Sequence, residues 1–440
     1  MAVATLPAQL RNRDRARLDA YKKHLDFYNG KQWPTAQRLR NPRRLTFNYA
    51  RPIVHKTTAA LMAGRTVLVE PDDDSDATTA RAAEAELAIN QVWDQNAAPA
   101  LDFDTELDCA VLGDAAYKVW WSDTEHRVRI SAPDPANIFK WTWPDDPSRA
   151  WRIANRYTLN AADAEPLFPG ATVKASNTII EAWTLDTYER WLNDTMLETR
   201  KNPYPFIPFV IFPNVRDPQQ VWGTSDLASL LDTFTELNRE LSQLSLIMEV
   251  SGNPIAVLEG MDEAQDIAVT PGAVWEIPKD TKAYLLDLLA GGGVRLHSDY
   301  LAALYRTMYD LAETPRSAFG DNTRDLSGVA LELELDPLLK KVERKRIIRT
   351  QAYTDRNTMI LSLLDQFTGT AFGAVNHTIH WGSVLPTDRD REVTNELAAV
   401  AAGVHSRRFA ADALGGVDNA DAQFNQWLDE QRAIANTSPQ

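Results

Sequence analysis

The 440 residues contain a single cysteine, Cys109. No intrachain disulfide is possible, and the usage fits a chain that folds in a reducing cytoplasm. The flanking Ala110-Val111-Leu112 predicts a buried, inert thiol rather than a nucleophile. No stretch approaches 18 uncharged apolar residues, so no transmembrane helix is expected. The opening run MAVATLPAQLRNRDRARL has no apolar core of the kind a secretory signal needs. A basic excess is also lacking: 46 Lys and Arg stand against 61 Asp and Glu, a formal charge of -15. That balance argues against a broad, tight phosphate-binding surface.

Catalytic signatures are scarce too. There is no Walker A loop, no Gly-x-Ser-x-Gly elbow, no His-Glu-x-x-His and no cysteine cluster. Gly291-Gly292-Gly293 runs into Val294-Arg295-Leu296-His297, without the Lys and Ser/Thr that a phosphate cradle requires, and reads as a joint. The acidic patch from Asp72 to Asp76 lacks the EF-hand pattern and reads as a solvated turn before a helix. His377 and His380 sit in a strand-like segment and would point to opposite faces. No catalytic residue, metal or cofactor is assigned. Without a Walker A motif the chain is not expected to be a motor that burns ATP, and it is not expected to be an enzyme.

What is present is 44% apolar residues and 13 Trp, enough for a sizeable core with large rigid packing surfaces. Helical patterns cover 12 to 29, 48 to 63, 77 to 96 and 101 to 112. The period then shortens. Strands are predicted at Ala116 to Trp121, Arg127 to Ile130, Trp151 to Thr158, Thr178 to Leu185, Glu189 to Trp191 and Phe206 to Phe212, with prolines in the loops between them. This is an antiparallel β section set among helices, an α+β class.

The most informative pattern follows Trp222-Gly223-Thr224, where Thr224 or Ser225 is placed as N-cap and Asp226 in the first turn. Leu227, Leu230, Phe234, Leu237, Leu241, Leu244 and Met248 then recur at alternating steps of three and four, a heptad stripe. Asp232, Glu236, Arg239, Glu240 and Gln243 are placed opposite. A stripe this narrow predicts packing along another long helix. Short strands are expected at 255 to 258, 273 to 277 and 283 to 286. A second long helix covers 294 to 313 and ends at Thr314-Pro315. A polar loop with Arg316, Asp321, Asn322, Arg324 and Asp325 follows, and then a third long helix from Gly328 to about Phe367, kinked or restarted at Pro337. Its basic run from Lys340 to Arg349 is read as a solvated face or a site of pairing between subunits, with DNA contact as the other reading. Val342, Ile347 and Ile348 suggest that one face is packed. A strand at 376 to 385 is placed back on the β section, and a helical tail, broken at Gly403 and Gly415-Gly416, runs from Asp388 to about Arg432.

Several local motifs lie along this order: Tyr28-Asn29-Gly30-Lys31-Gln32; Asn48-Tyr49 leading through Ile53-Val54 to Leu61 and Gly64; Val111-Leu112-Gly113-Asp114-Ala115-Ala116-Tyr117; and Pro135-Ala136-Asn137-Ile138-Phe139. Then come Trp222-Gly223-Thr224-Ser225-Asp226-Leu227, Leu237-Asn238, Asn253-Pro254-Ile255, Ser327-Gly328-Val329-Ala330-Leu331 and a tail with Ala402-Gly403-Val404-His405-Ser406 and Leu414 to Asp421. In collinear order over residues 20 to 435 they resemble the siphophage-type portal proteins of tailed phages. Trp222 departs conservatively from the Phe more usual there.

The resemblance implies a portal fold: long stem helices, an α/β wing with antiparallel strands, a small β-containing clip and a helical crown. It divides the chain into wing (1–222), stem helix 1 (223–252), clip (253–292), stem helix 2 (293–314), tunnel loop (315–327), wing helix and returning strand (328–387) and crown (388–440). It implies a channel ring at one capsid vertex for packaging and ejecting double-stranded DNA and for head-tail attachment, with 12 subunits in the virion or 13 when isolated. Implied partners are the DNA, a terminase, a head-tail adaptor and the major capsid protein or scaffold, with no membrane. The location implied is the virion after assembly in the host cytoplasm. The stripe from Leu227 to Met248 becomes stem packing. Arg316, Asp321, Asn322, Arg324 and Asp325 become the DNA-facing loop, with Arg316 and Arg324 touching phosphates transiently. The alternatives are another head-tail connector component or a helical scaffold with no DNA role.

Overall fold

Where the sequence period is 3.6, the computed structural model has helices, and where it is 2 it has antiparallel strands. It describes residues 5–33, 44–73, 75–252, 256–259, 282–285, 293–320, 328–385, 389–407, 409–410, 414, 424–428, 430 and 432. Two units separate, Met1–Trp381 and Gly382–Gln440.

The first unit opens with α1 (Leu6–Leu10), α2 (Arg15–Tyr28) and α3 (Ala50–Leu61), followed by β1 (Arg65–Glu70), α4 (Asp76–Gln95) and α5 (Ala98–Leu112). Ser75 caps α4 by accepting from the Thr78 amide, and Asp73 accepts from the Ser75 amide and the Thr78 hydroxyl. Of the acidic patch, Asp73 thus supports the cap, and Asp72 pairs with Arg81.

Eight strands come next: β2 (Asp114–Ser122), β3 (Arg127–Ser131), β4 (Ile138–Thr142), β5 (Ala150–Asn160), β6 (Ser176–Trp183), β7 (Thr187–Leu192), β8 (Thr195–Lys201) and β9 (Phe209–Pro213), with α6 (Ala161–Leu167) between β5 and β6. They form two antiparallel sheets, β3-β2-β9 and the meander β4-β5-β6-β7-β8. β1, β4 and β8 were not read from the sequence; β8 is the clearest case. It is an edge strand, largely exposed along its whole length, so it carries no apolar alternation.

Helix α7 (Leu231–Gly252), strands β10 (Ala256–Glu259) and β11 (Lys282–Leu285), and helices α8 (Gly293–Ala312) and α9 (Gly328–Thr368) follow. β10 and β11 pair antiparallel; the strand expected at 273 to 277 lies outside the described residues. α9 is one 41-residue helix, and Pro337 lies inside it rather than restarting it. The unit closes with β12 (Asn376–Trp381), which corrects an expectation. β12 does not join the β section but pairs with β1, residue 65 opposite 381.

The second unit holds α10 (Arg389–Ala401), which stops before Gly403, at φ +72°. The break expected at Gly415-Gly416 lies outside the described residues.

The largest core gathers α4, α5, β2, β9 and α9 around Tyr117, Ile89 and Tyr353. A second joins α2, α3 and α5 to α7 and α8 through Ile53, Val54, Phe234 and Met308. A third seats Leu6 and Leu10 of α1 on Phe139, Ala154, Ile180 and Ala182 of the meander.

Candidate functional site

Helix α9 carries the least expected feature. Leu338, Lys341, Val342, Lys345, Arg349, Tyr353, Arg356, Ile360 and Leu363 fall on one side of the helix and are all buried. Four members of this stripe are cations, so the stripe needs acids. Lys345 Nζ lies 2.6 Å and Lys341 Nζ 3.6 Å from Asp226 Oδ2. Lys341 also donates to the Ala312 carbonyl at the end of α8. Arg349 grips both oxygens of Glu106 at 2.9 and 2.7 Å and donates to the carbonyls of Pro213 and Asn214. Arg356 holds Asp102 at 2.6 and 3.1 Å, and Arg65 shares that carboxylate.

The basic run is therefore corrected. Lys341, Lys345 and Arg349 are neither solvated nor turned toward another subunit; they bind acids of their own chain. Lys340 and Arg344 keep to the surface, paired with Glu343 and Glu313. Arg346 reaches carbonyls at the C-terminal end of α3, a favourable place for a cation. Val342 packs as expected, but Ile347 is 73% exposed.

Burial alone would raise both acids. At Asp226 the nearby Lys341 and Lys345 outweigh it, and at Asp102 Arg356 and Arg65 do, so both carboxyls are held below the ordinary range. Burial lowers Lys341. Burial also raises the Cys109 thiol far above its ordinary value; its sulfur accepts from Arg349 at 3.3 Å.

Asp226 belongs to the segment leading into α7, and that segment is pinned on every side. Gly223 faces Gly113: a Cβ on Gly223 would lie 2.1 Å from the Gly113 carbonyl oxygen, and Gly113 itself has φ +114°. The Ser225 hydroxyl donates at 2.6 Å to the Val111 carbonyl, and the Asp226 amide donates to Ala110 at 2.9 Å. Asn214 donates to both the Thr224 carbonyl and the Asp226 carboxylate. Asp114 accepts from the Gly223 amide and the Tyr21 hydroxyl. Trp222 lies between two cations, Arg17 at 3.8 Å and Lys140 at 4.4 Å from its ring centre. α7 itself starts at Leu231 and not at Thr224 or Ser225. The Ser225 hydroxyl does accept from the Leu227 amide at 3.1 Å, but the turn it caps precedes the helix and is tied to α5 and α9.

Along the expected stripe, Leu227, Leu230, Phe234 and Leu237 are fully buried. Leu227 and Leu230 precede the helix. Leu241 and Leu244 are half-buried against α8, where Leu301, Leu304 and Met308 meet them. Met248 is 57% exposed. The opposite face is less exposed than its polar residues suggest: Glu240 is buried and paired with His297 of α8. Asn238, also buried, accepts from the Phe47 amide.

At the far end of α8, Thr314 is buried and Arg316 lies exposed in a short 3₁₀ turn, Arg316–Phe319. Asp321, Asn322, Arg324 and Asp325 lie outside the described residues. Among the described residues no cluster of three His, Cys, Asp or Glu is placed to hold a metal. His377 is buried and His380 exposed, on opposite faces of β12.

A sequence model of the phage portal protein family, SPP1 Gp6-like, matches residues 8–437. The chain belongs to this family. Comparison with curated proteins gives no significant match. In this portal chain two of the recognised motifs, Val111–Tyr117 and Trp222–Leu227, turn out to be one place: their glycines touch, and their polar groups bond to each other. Sequence reasoning did not find the acids that complete it. The spacing of 341, 345 and 349 hinted at a common face, but Glu106 and Asp226 are more than a hundred residues away in the chain and carry no local signature.

Proposed function

We propose that the chain is one subunit of a ring-shaped channel at a single capsid vertex, through which double-stranded DNA is packaged and ejected and to which the tail attaches. In this reading 1–222 and 328–387 form the wing, 223–252 and 293–314 the stem, 253–292 the clip, 315–327 the tunnel loop and 388–440 the crown. The ring has 12 subunits in the virion, and its partners are terminase, a head-tail adaptor and the capsid protein or scaffold.

The observation that carries it is the state of the α7–α8 pair. The two helices pack on each other through Leu237, Leu241, Leu301 and Met308, yet Leu246, Met248, Leu296, Tyr300 and Leu311 remain 38–73% exposed. Two long helices with apolar residues left over on their outer faces are suited to lining a ring and packing on neighbouring copies. The stripe from Leu227 to Met248 thus serves the subunit at its buried end and the ring at its exposed end. Arg316 and Arg324 make transient phosphate contacts, while the acidic Asp321 and Asp325 keep the loop from holding DNA.

Electron microscopy with symmetry determination tests the ring: closed rings with a central hole are expected. The double variant Met248→Glu, Leu296→Glu should stay folded by circular dichroism and lose the rings. Rings that persist in that variant sink the stem assignment. For the loop, Arg316→Ala, Arg324→Ala particles should package or retain less DNA than wild type, and unchanged packaging and retention remove that role.

A further inference from the structure

The meander changes character along one face. Strand register puts Ala154 opposite Ala182, Arg156 opposite Ile180, Thr158 opposite Thr178 and Asn160 opposite Ser176. Residues directly opposite, and those two apart along a strand, share a face. The first part of this face is apolar and is covered by Leu6 and Leu10 of α1. Beyond the end of α1 the same face turns into hydrogen-bond donors and opens as a cleft of about 420 Å³, bounded by Arg11, Arg156, Lys174 and Asp194.

The charge in this cleft is unbalanced. Arg11 is paired with Asp194 at 2.7 Å. Arg156 rests on the Phe139 ring and gives one bond to the Leu10 carbonyl, but among the described residues no carboxylate meets it. Lys174 has no side-chain partner among the described residues, and neither do the hydroxyls of Thr158, Ser176 and Thr178. Three cations thus stand against one acid on a chain whose formal charge is -15.

We propose that this cleft is a docking site for an extended acidic peptide of a partner protein, with carboxylates at alternate positions. The donors do not converge on a point as they would for a single small anion. Arg156 and the hydroxyls of Thr158, Ser176 and Thr178 run along the paired strands β5 and β6, with Lys174 just before β6, and successive positions on one face are about 7 Å apart. An extended peptide turns its alternate side chains to the sheet at the same spacing, so that carboxylates several residues apart meet Arg156 and Lys174, which lies beyond the Asn160–Ser176 pair, while the hydroxyls bond the remaining oxygens. The cleft has room for a few side chains and none for a nucleic-acid duplex. The site lies on the sheet and not on the α7–α8 pair, so it does not depend on the channel reading and is tested on the free subunit.

The test is fluorescence anisotropy of the full chain with a labelled peptide carrying glutamate at every second position. A peptide of the same composition with the glutamates in one block is the control. The alternating peptide should bind more tightly than the block peptide, and added salt should weaken it. Lys174→Gln should weaken binding by roughly tenfold, the loss of one charge-assisted contact. Asp194→Asn should tighten it, because it frees Arg11. Both positions are exposed, so neither variant threatens the fold. Arg156→Gln should weaken binding further. Failure of the alternating peptide to bind, indifference to Lys174→Gln and Asp194→Asn, or equal binding of the block peptide overturns the proposal. Stronger displacement by inorganic phosphate or by duplex DNA than by unlabelled peptide also overturns it.

Discussion

At the scale of single residues, this chain relies on buried charges that are individually costly and are paired with one another. Arg349 is fully buried, and its two nearest acidic contacts belong to Glu106. Truncating it strands that carboxylate away from water. Arg349→Ala is expected to cost about 3–5 kcal/mol, read as a fall in the urea midpoint. Gly223→Ala should also destabilise, by at least about 1–3 kcal/mol, because its methyl group would collide with the Gly113 carbonyl and the Asn214 amide. Unchanged stability in that variant would show that the junction yields.

Acid should loosen the same ladder. Asp226 and Asp102 are held below their ordinary value of 3.8 by the cations around them. Their contribution is present above that value and is lost as pH falls below it. Asp114, raised by burial, acts with the opposite sign: it favours folding less as pH climbs through its folded value. Unfolding free energy should therefore drop below about pH 4. Asp226→Asn, though less stable at neutral pH, should show a shallower drop. An equal slope in both proteins would remove Asp226 as a source of the acid sensitivity.

At the scale of elements, α7 is a helix with two environments. Phe234 is wholly buried near its start and Met248 is exposed near its end. Phe234→Ala should cost about 3–5 kcal/mol in the free subunit. Met248→Ala should stay within about 0.5 kcal/mol, with its effect reserved for ring assembly. Similar losses at both positions in the monomer would contradict the exposed end. The heptad period was legible because it depends only on local spacing, but the start of α7 was not. Thr224-Ser225-Asp226 is a sound capping sequence, yet Ser225 bonds α5 and Asp226 bonds α9. The Ser225 cap forms on the Leu227 amide, but on a turn that precedes the regular helix. Likewise β1 has the alternation of a strand, with Val67 and Val69 buried, but its partner is β12, 306 residues on at the closest pairing of Glu70 with Asn376.

At the scale of the whole molecule, the acidic balance and the buried cations point the same way. Four of the basic residues of α9 are spent inside the fold and are not on offer to phosphates. The free subunit should bind duplex DNA no more tightly than ordinary non-specific binding, about 10⁻⁴–10⁻⁶ M at physiological salt. Tight, salt-resistant retention in a gel-shift assay would refute that picture of weak contact.

The sequence alone determined the long helices and most of the strands, the buried single cysteine, the heptad stripe and the family, because each is written in local spacing or in collinear motifs. Only the tertiary structure decided what the basic run does. A lysine at 345 reads as surface until Asp226 is brought to 2.6 Å from it. Whether a charge is solvated or buried depends on the acid that meets it, and that acid arrives from a distant part of the chain.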